Sequence, residues 1–256
     1  MVIFKYMRYS KKYYSERDEK TSKSANIVTS LVFELIKPKS VVDFGCGAGT
    51  WLKKFREKGV KKTIGIDGKW AQKGLLKIDQ SDFIEHNLEY ELNLNDTFDL
   101  AMSLEVAEHL PKESAEVFVK TLTNHAPVVL FSAAIPFQGG THHVNEQWPE
   151  YWVKLFEKRG YVVIDAIRGK VWNNPGIKAH YAQNCLIFTE KKYLKKNNTL
   201  KKEAEKTNKN QLSIVHPYLF LSKTSPENMS LKKNIPLFLK LVKNAIFNKF
   251  RKIIKN

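Results

Sequence analysis

Two stretches of this sequence concentrate side chains that can do chemistry. In the first, Glu105, Glu108 and His109 stand at i, i+3 and i+4. If the chain is helical there, all three fall on one face. Two carboxylates and an imidazole so placed are a ligand set for a divalent cation. The second stretch is PFQGGTHHVNEQWPEYW, residues 136–152. It brings His142, His143, Asn145, Glu146 and Gln147 together behind a Gly139-Gly140 pair. Histidine titrates near neutrality and suits proton removal. A carboxylate three residues from His143, at Glu146, can orient that ring or assist it. His143 is also a fourth candidate ligand beside Glu105, Glu108 and His109.

These side chains need a frame, and the pattern around VVDFGCGAGTW (41–51) supplies one. A short apolar run meets glycines at 45, 47 and 49, and an amphipathic segment follows. This reads as a buried strand, a tight turn and the start of a helix. Backbone nitrogens at such a helix start face a ligand, which suggests a nucleotide-type molecule in a βαβ unit. The spacing is G-x-G-x-G rather than G-x-G-x-x-G, and no G-K-[ST] follows, so a dinucleotide fingerprint and a phosphate loop are both disfavoured.

Further elements alternate along the chain. A helix is expected from Ser22 or Ser24 to Ile36, with Ile27, Val28, Leu31, Val32 and Leu35 as its apolar face. Strands are expected at 41–44, 62–67, 83–86, 98–106, 127–134, 161–166 and 185–189. Helices are expected at 50–58, 111–122 and 148–158. The alternation predicts a doubly wound, mostly parallel α/β sheet with ligands at the carboxyl ends of its strands. Asp67 ends the second strand, where a carboxylate can accept ribose hydroxyls. Asn87 and Leu88 end the third, where an adenine would lie, and Asp82 is a rival to Asn87.

The chain has 256 residues, a net charge of +17, 43% hydrophobic residues and two cysteines, Cys46 and Cys185. Two distant cysteines suggest inert thiols in a reducing, cytoplasmic setting. No signal-peptide pattern and no apolar run of about 20 residues is seen. Residues 195–256 hold 15 Lys/Arg and 3 Asp/Glu. The charge is therefore concentrated in the tail, which argues against a cleft built to grip nucleic acid. The expected organisation is a domain at 1–194, a polar linker at 195–211 and a basic tail at 212–256. Within the tail an amphipathic helix is expected from Pro236 to Lys255. Leu239, Val242, Ile246, Phe250 and Ile253 share one face, and Lys240, Asn244, Asn248, Arg251 and Lys255 the other. Such a helix can lie on the inner face of an anionic membrane, pack on its own domain or pair two chains into a homodimer.

The form DFGCGAGTW resembles motif I of class I S-adenosylmethionine-dependent methyltransferases. The joined pattern SVVDFGCGAGTWL, EVAEHLP, VVLFSAAIPFQGGTHHVNEQWPEYW and VWNNPGIKAHYAQN resembles bacterial members found in surface-polysaccharide clusters. It spans roughly residues 13–190. The resemblance implies a Rossmann-like seven-stranded sheet and S-adenosylmethionine as cofactor. Asp43, Gly45, Cys46 and Gly47 would hold the methionine end, with Leu104 and Glu105 beside it. Asp67 and Gly68 would serve the ribose, and Asn87 with Leu88 the adenine. The implied acceptor is a sugar hydroxyl of an activated sugar or a capsule precursor. His143 would be the base, aided by Glu146 or His109. Small-RNA 2′-O-methyltransferases carry a similar E-x-x-E-H, which keeps a metal-dependent RNA enzyme as an alternative. Methylation of a phosphate or phosphoramidate group and a non-catalytic membrane-docked scaffold are the others. Trp172, Tyr181 and Asn184 fall on recurring positions with no assigned role.

Overall fold

The computed structural model describes residues 11–69, 71, 73–225, 235, 238–244 and 247, with side chains from residue 19 onward except at 73. The chain divides into two compact units, 1–214 and 215–256.

The first unit opens with a long helix, α1 (Lys11–Ile36). It begins well before the expected Ser22 or Ser24. Ser24 does not cap it: its hydroxyl donates to Lys20 O (3.0 Å) within the helix and accepts from Lys178 N (3.0 Å). A mid-helix serine can bond back to the preceding turn in this way, so its presence did not mark a start. Ala25, Val28, Val32 and Leu35 form the buried stripe, with Ile27 and Leu31 at its margin.

After α1 the chain alternates. β1 (Ser40–Phe44), α2 (Thr50–Glu57), β2 (Lys62–Asp67), β3 (Phe83–Glu85) and β4 (Leu100–Leu104) come first. Then come α3 (Ala115–His125), β5 (Val128–Ser132), α4 (Pro149–Lys158), β6 (Tyr161–Ile164), α5 (Arg168–Val171), α6 (Ala179–Asn184) and β7 (Leu186–Glu190). The seven strands lie in the order β3-β2-β1-β4-β5-β7-β6, all parallel except β7, which runs antiparallel between β5 and β6. Strand side chains alternate between two cores. Val41, Leu100, Met102, Val128, Leu130 and Ile187 join α1 and α2 on one face. Val42, Ala101, Val129, Phe131, Leu186 and Phe188 join α3 and α4 on the other. Both faces are covered, so the central strands read as continuous apolar runs rather than alternating ones.

Residues 195–211 are not the expected linker. After α7 (Lys191–Leu194), α8 (Asn198–Lys206) forms, with the Asn197 side chain accepting from Leu200 N (2.9 Å). Leu200 is fully buried in the first core. Thr207 Oγ1 accepts from Asp165 N, and the buried Arg168 donates to Leu212 O (2.7 Å) while pairing with Asp165. One leucine and a few polar anchors are too sparse to show in composition, yet they fasten the segment to the domain.

In the second unit α9 (Pro217–Thr224) is capped by His216, whose ring accepts from Tyr218 N (3.2 Å). Residues 235, 238–244 and 247 are helical, and all but 235 fall within the expected C-terminal helix. Ile246, Asn248, Phe250, Arg251, Ile253 and Lys255 lie outside the described residues.

Candidate active site

The sheet order reverses between β1 and β4, and the crevice at such a switch point is where open α/β sheets take ligands. The glycine loop leaves β1 there. Gly45 has φ +89°, and a Cβ on it would meet Val106 Cγ2 at 2.3 Å. Only glycine satisfies both the left-handed backbone and that approach. Val106 is thus laid against the loop, which brings the Glu105–His109 turn beside it.

Asp67 ties the loop to β2. Its Oδ2 accepts from Gly47 N and its Oδ1 from Gly68 N, both at 2.7 Å. Asp43 is buried, and burial, followed by the nearby Asp67 charge, pushes its carboxyl well above the usual range. Burial likewise pushes the Cys46 thiol up, in keeping with an inert group. Asn87 is exposed, and its Oδ1 accepts from Glu89 N (3.1 Å) in an Asx turn. The rival Asp82 is paired with Arg56. Leu88 is 3% exposed and belongs to the same buried cluster as Ile66 and Phe98, so it is a core residue. Leu104 closes β4 and is buried.

The helical condition that would set Glu105 on one face with Glu108 and His109 is not met. Glu105 takes φ +57°, and only Ala107–His109 make a single 3-10 turn. Ser132 Oγ and O both accept from Glu105 N (3.0 Å), which turns the chain there. Glu105 therefore leaves the face shared by Glu108 and His109. Its carboxylate accepts from Gln138 Nε2 and Asn184 Nδ2, each at 3.0 Å. Asn184 Nδ2 also donates to Gln138 Oε1 (2.9 Å), as does Gln183 Nε2 (3.1 Å). Asn184 thereby gains a role the sequence left open: it joins α6 to the β4 exit. Gln138 and Gln183 were missed altogether, since an isolated glutamine carries no sequence signal. Tyr181 packs edge-on against Trp51, with ring centroids 5.0 Å apart.

Glu108, His109 and His143 do converge. One ligand-type atom from each lies within 4.8 Å of the others. Glu108 is fully buried, and neither carboxylate oxygen has a hydrogen-bond partner. Burial, then the neighbouring Glu105, pushes its carboxyl well above the usual range. The backbone amides of Glu108 and Ala134 act the other way, without reaching hydrogen-bond geometry. His143 Nε2 lies 4.0 Å from Glu108 Oε1, and His109 meets the His143 ring edge-on at 4.7 Å between centroids. Burial lowers the pKa of His109, with His143 adding to the effect.

The loop after β5 is folded around Glu146. Its Oε2 accepts from Phe137 N (2.8 Å), and its Oε1 from Gly139 N (2.6 Å) and His143 Nδ1 (2.8 Å). Glu108 O accepts from Val144 N and Asn145 N, which fixes the loop on the 3-10 turn. A carboxylate accepts only, so His143 Nδ1 carries a proton, and in the neutral ring Nε2 holds the lone pair. The same logic applies to His109, whose Nδ1 donates to His142 O (3.3 Å). Gly140 lies under the His143 ring: a Cβ there would meet Nε2 at 2.1 Å.

A sequence profile described as a methyltransferase domain matches residues 15–167, more than half of the chain. No curated protein sequence matches it. Solved structures share the fold. The sugar N-methyltransferase KedS8 of Streptoalloteichus is 14% identical, with a TM-score of 0.54, over 74% of this chain and 98% of that one. CalS10, an amino pentose methyltransferase from Micromonospora solved with S-adenosylmethionine, is 12% identical, with a TM-score of 0.51, over 73% and 99%. The methyltransferase domain of bacterial CtHen1 is 21% identical, with a TM-score of 0.50, over 67% and 98%. The matched profile, the seven-stranded order with its one antiparallel strand, and the glycine loop at the switch point lead to one assignment: the chain belongs to the class I S-adenosylmethionine-dependent methyltransferases.

Proposed function

We propose that this enzyme transfers a methyl group from S-adenosylmethionine to a hydroxyl of a sugar, carried on an activated sugar or a surface-polysaccharide precursor. One observation carries the proposal: His143, its Nδ1–H held by Glu146, turns Nε2, the basic nitrogen of the neutral ring, toward a buried carboxylate beside the cofactor loop. The acceptor oxygen would bond to the methyl carbon as the sulfur–methyl bond breaks and S-adenosylhomocysteine leaves. The hydroxyl proton would pass to His143 Nε2, and Glu146 would stabilise the imidazolium formed. Asp43 and the Gly45–Gly47 loop would hold the methionine end, and Asp67 the ribose. Glu105, clamped by Gln138 and Asn184, would border the methionine end.

A second reading rests on Glu108. A buried carboxylate without a partner costs free energy unless it is protonated or meets a cation. Both imidazoles donate Nδ1–H to an acceptor, the arrangement typical of metal-bound histidine. Glu108, His109 and His143 therefore fit a divalent cation, which when bound would lower the pKa of an acceptor hydroxyl. Glu105 is committed elsewhere and falls outside this set.

The test is transfer of labelled methyl from S-adenosylmethionine to nucleotide sugars and to RNA, with and without chelator. Transfer to a sugar that survives chelation supports His143 as base. Transfer abolished by chelator and restored by Mn²⁺ supports the cation. Transfer to RNA alone overturns the acceptor class. Failure to bind S-adenosylhomocysteine by calorimetry would leave only a scaffold.

We also propose that the second unit contacts an anionic membrane. Phe238, Leu239, Leu241 and Val242 are exposed beside the exposed Lys240 and Lys243. No helix among the described residues is long and apolar enough to cross a membrane. Cosedimentation with phosphatidylglycerol vesicles, lost on removing residues 215–256, is the expected result. Equal recovery with and without those residues would overturn it.

A further inference from the structure

Phe137 is 90% exposed, more than any other large hydrophobic residue among those described. It also holds φ +68°, a left-handed backbone that a bulky side chain adopts rarely. An aromatic ring held in water on an unfavourable backbone is maintained by its surroundings, and such outliers gather at ligand clamps. The surroundings here are one carboxylate. Glu146 accepts from Phe137 N and Gly139 N, on either side of Gln138, and from His143 Nδ1. Gln138 N also donates to Ile135 O (3.0 Å) and closes the turn. The group that orients the proposed base thus also fixes the backbone that carries the exposed ring. Val144 and Trp148 are exposed on the same loop, at 66% and 41%.

We propose that Phe137 is the acceptor platform, taking the C–H face of a pyranose ring. This rests on the sugar-acceptor reading above. The negative face of a phenyl ring attracts the weakly positive C–H bonds of a sugar's apolar face. The flat ring supplies orientation, and the polar groups near Glu146 and His143 select the hydroxyl. The fold itself does not call for Phe137, since its side chain is not part of either core.

The test is saturation-transfer NMR on the enzyme loaded with S-adenosylhomocysteine. The probes are methyl α-D-glucopyranoside, methyl α-D-galactopyranoside and adenosine. The expected result is saturation of pyranoside C–H protons that is kept in Phe137→Tyr. It should fall at least 10-fold in Phe137→Ala and Phe137→Gly, with affinity for S-adenosylhomocysteine unchanged in all. Phe137→Gly separates ring from backbone, because glycine relieves the left-handed φ yet has no ring. Equal saturation in wild type and Phe137→Gly overturns the platform, and so does the absence of pyranoside saturation in wild type. Saturation of adenosine alone overturns the sugar class. Ring-dependent pyranoside binding without methyl transfer to any sugar keeps the platform and sinks the sugar O-methylation reading. Undiminished transfer to a sugar by Phe137→Gly does the reverse.

Discussion

Substituting Gly140 by alanine tests whether the placement of His143 matters to the chemistry. Gly140 has no left-handed φ, so its backbone admits alanine. The obstacle is the imidazole: the new Cβ would stand 2.1 Å from Nε2, 2.4 Å from Cε1 and 2.6 Å from Cδ2. Non-bonded heavy atoms settle near ~3.5 Å, so the ring must retreat by about 1.4 Å. It cannot do so and keep both the 2.8 Å bond to Glu146 and its place beside His109 and Glu108. Misplacement by roughly 1 Å can cost on the order of 10²-fold in rate, equivalent to about 2.7 kcal/mol in the barrier. The measurement is methyl-transfer turnover at saturating S-adenosylmethionine, with calorimetric affinity for S-adenosylhomocysteine and the melting temperature alongside. Gly169→Ala is the control, because nothing lies within 4 Å of its Cβ. Turnover of Gly140→Ala should fall about 10²-fold, with cofactor affinity and Tm close to wild type. Turnover within threefold of wild type would refute the reasoning, as would a parallel loss of cofactor affinity.

Three more outcomes are expected. Asp43→Asn should raise the Tm of the cofactor-free enzyme at pH 8, by an amount that shrinks toward pH 4. The folded pKa of Asp43 lies above its unfolded value of about 3.9, so the folded state holds the extra proton, and wild-type stability falls as pH rises between the two values, by about 1.4 kcal/mol per pH unit. A gap that widens on acidification would contradict this. Gly45→Ala should abolish detectable S-adenosylhomocysteine binding, because of its φ of +89° and the 2.3 Å approach to Val106; unchanged affinity by calorimetry would rule this out. Leu200→Ala should destabilise the first unit by about 2–5 kcal/mol in urea unfolding, as for a filled core site, whereas a true linker would show no change.

Much of the frame was legible because strand period, helix period and turn chemistry are local properties. The strand–glycine–helix unit at 40–57, Asp67 at the end of β2 and the order of alternation all follow from neighbouring residues. Three features did not. Ser24 looked like a helix start, since a hydroxyl that caps and one that bonds back to its own helix use the same atom. The 195–211 segment looked like a linker, since one buried leucine and the Arg168 contact to Leu212 outweigh a polar composition. Glu105 would share a face with Glu108 and His109 on a helix, yet the bonds from its amide to Ser132 turn the backbone left-handed.

By itself the sequence determined which residue types were available for chemistry and on which strand ends they would stand. It also placed the chain in its family, because the cofactor loop is contiguous and its geometry is set by glycine at defined positions. Tertiary structure decided which groups actually meet. Glu108 is buried and joined by His109 and His143, while Glu105 goes to Gln138 and Asn184. Glu146 is bonded to Phe137, Gly139 and His143 at once. Those pairings depend on where separate loops cross the sheet edge, and no local pattern encodes the distance between two loops.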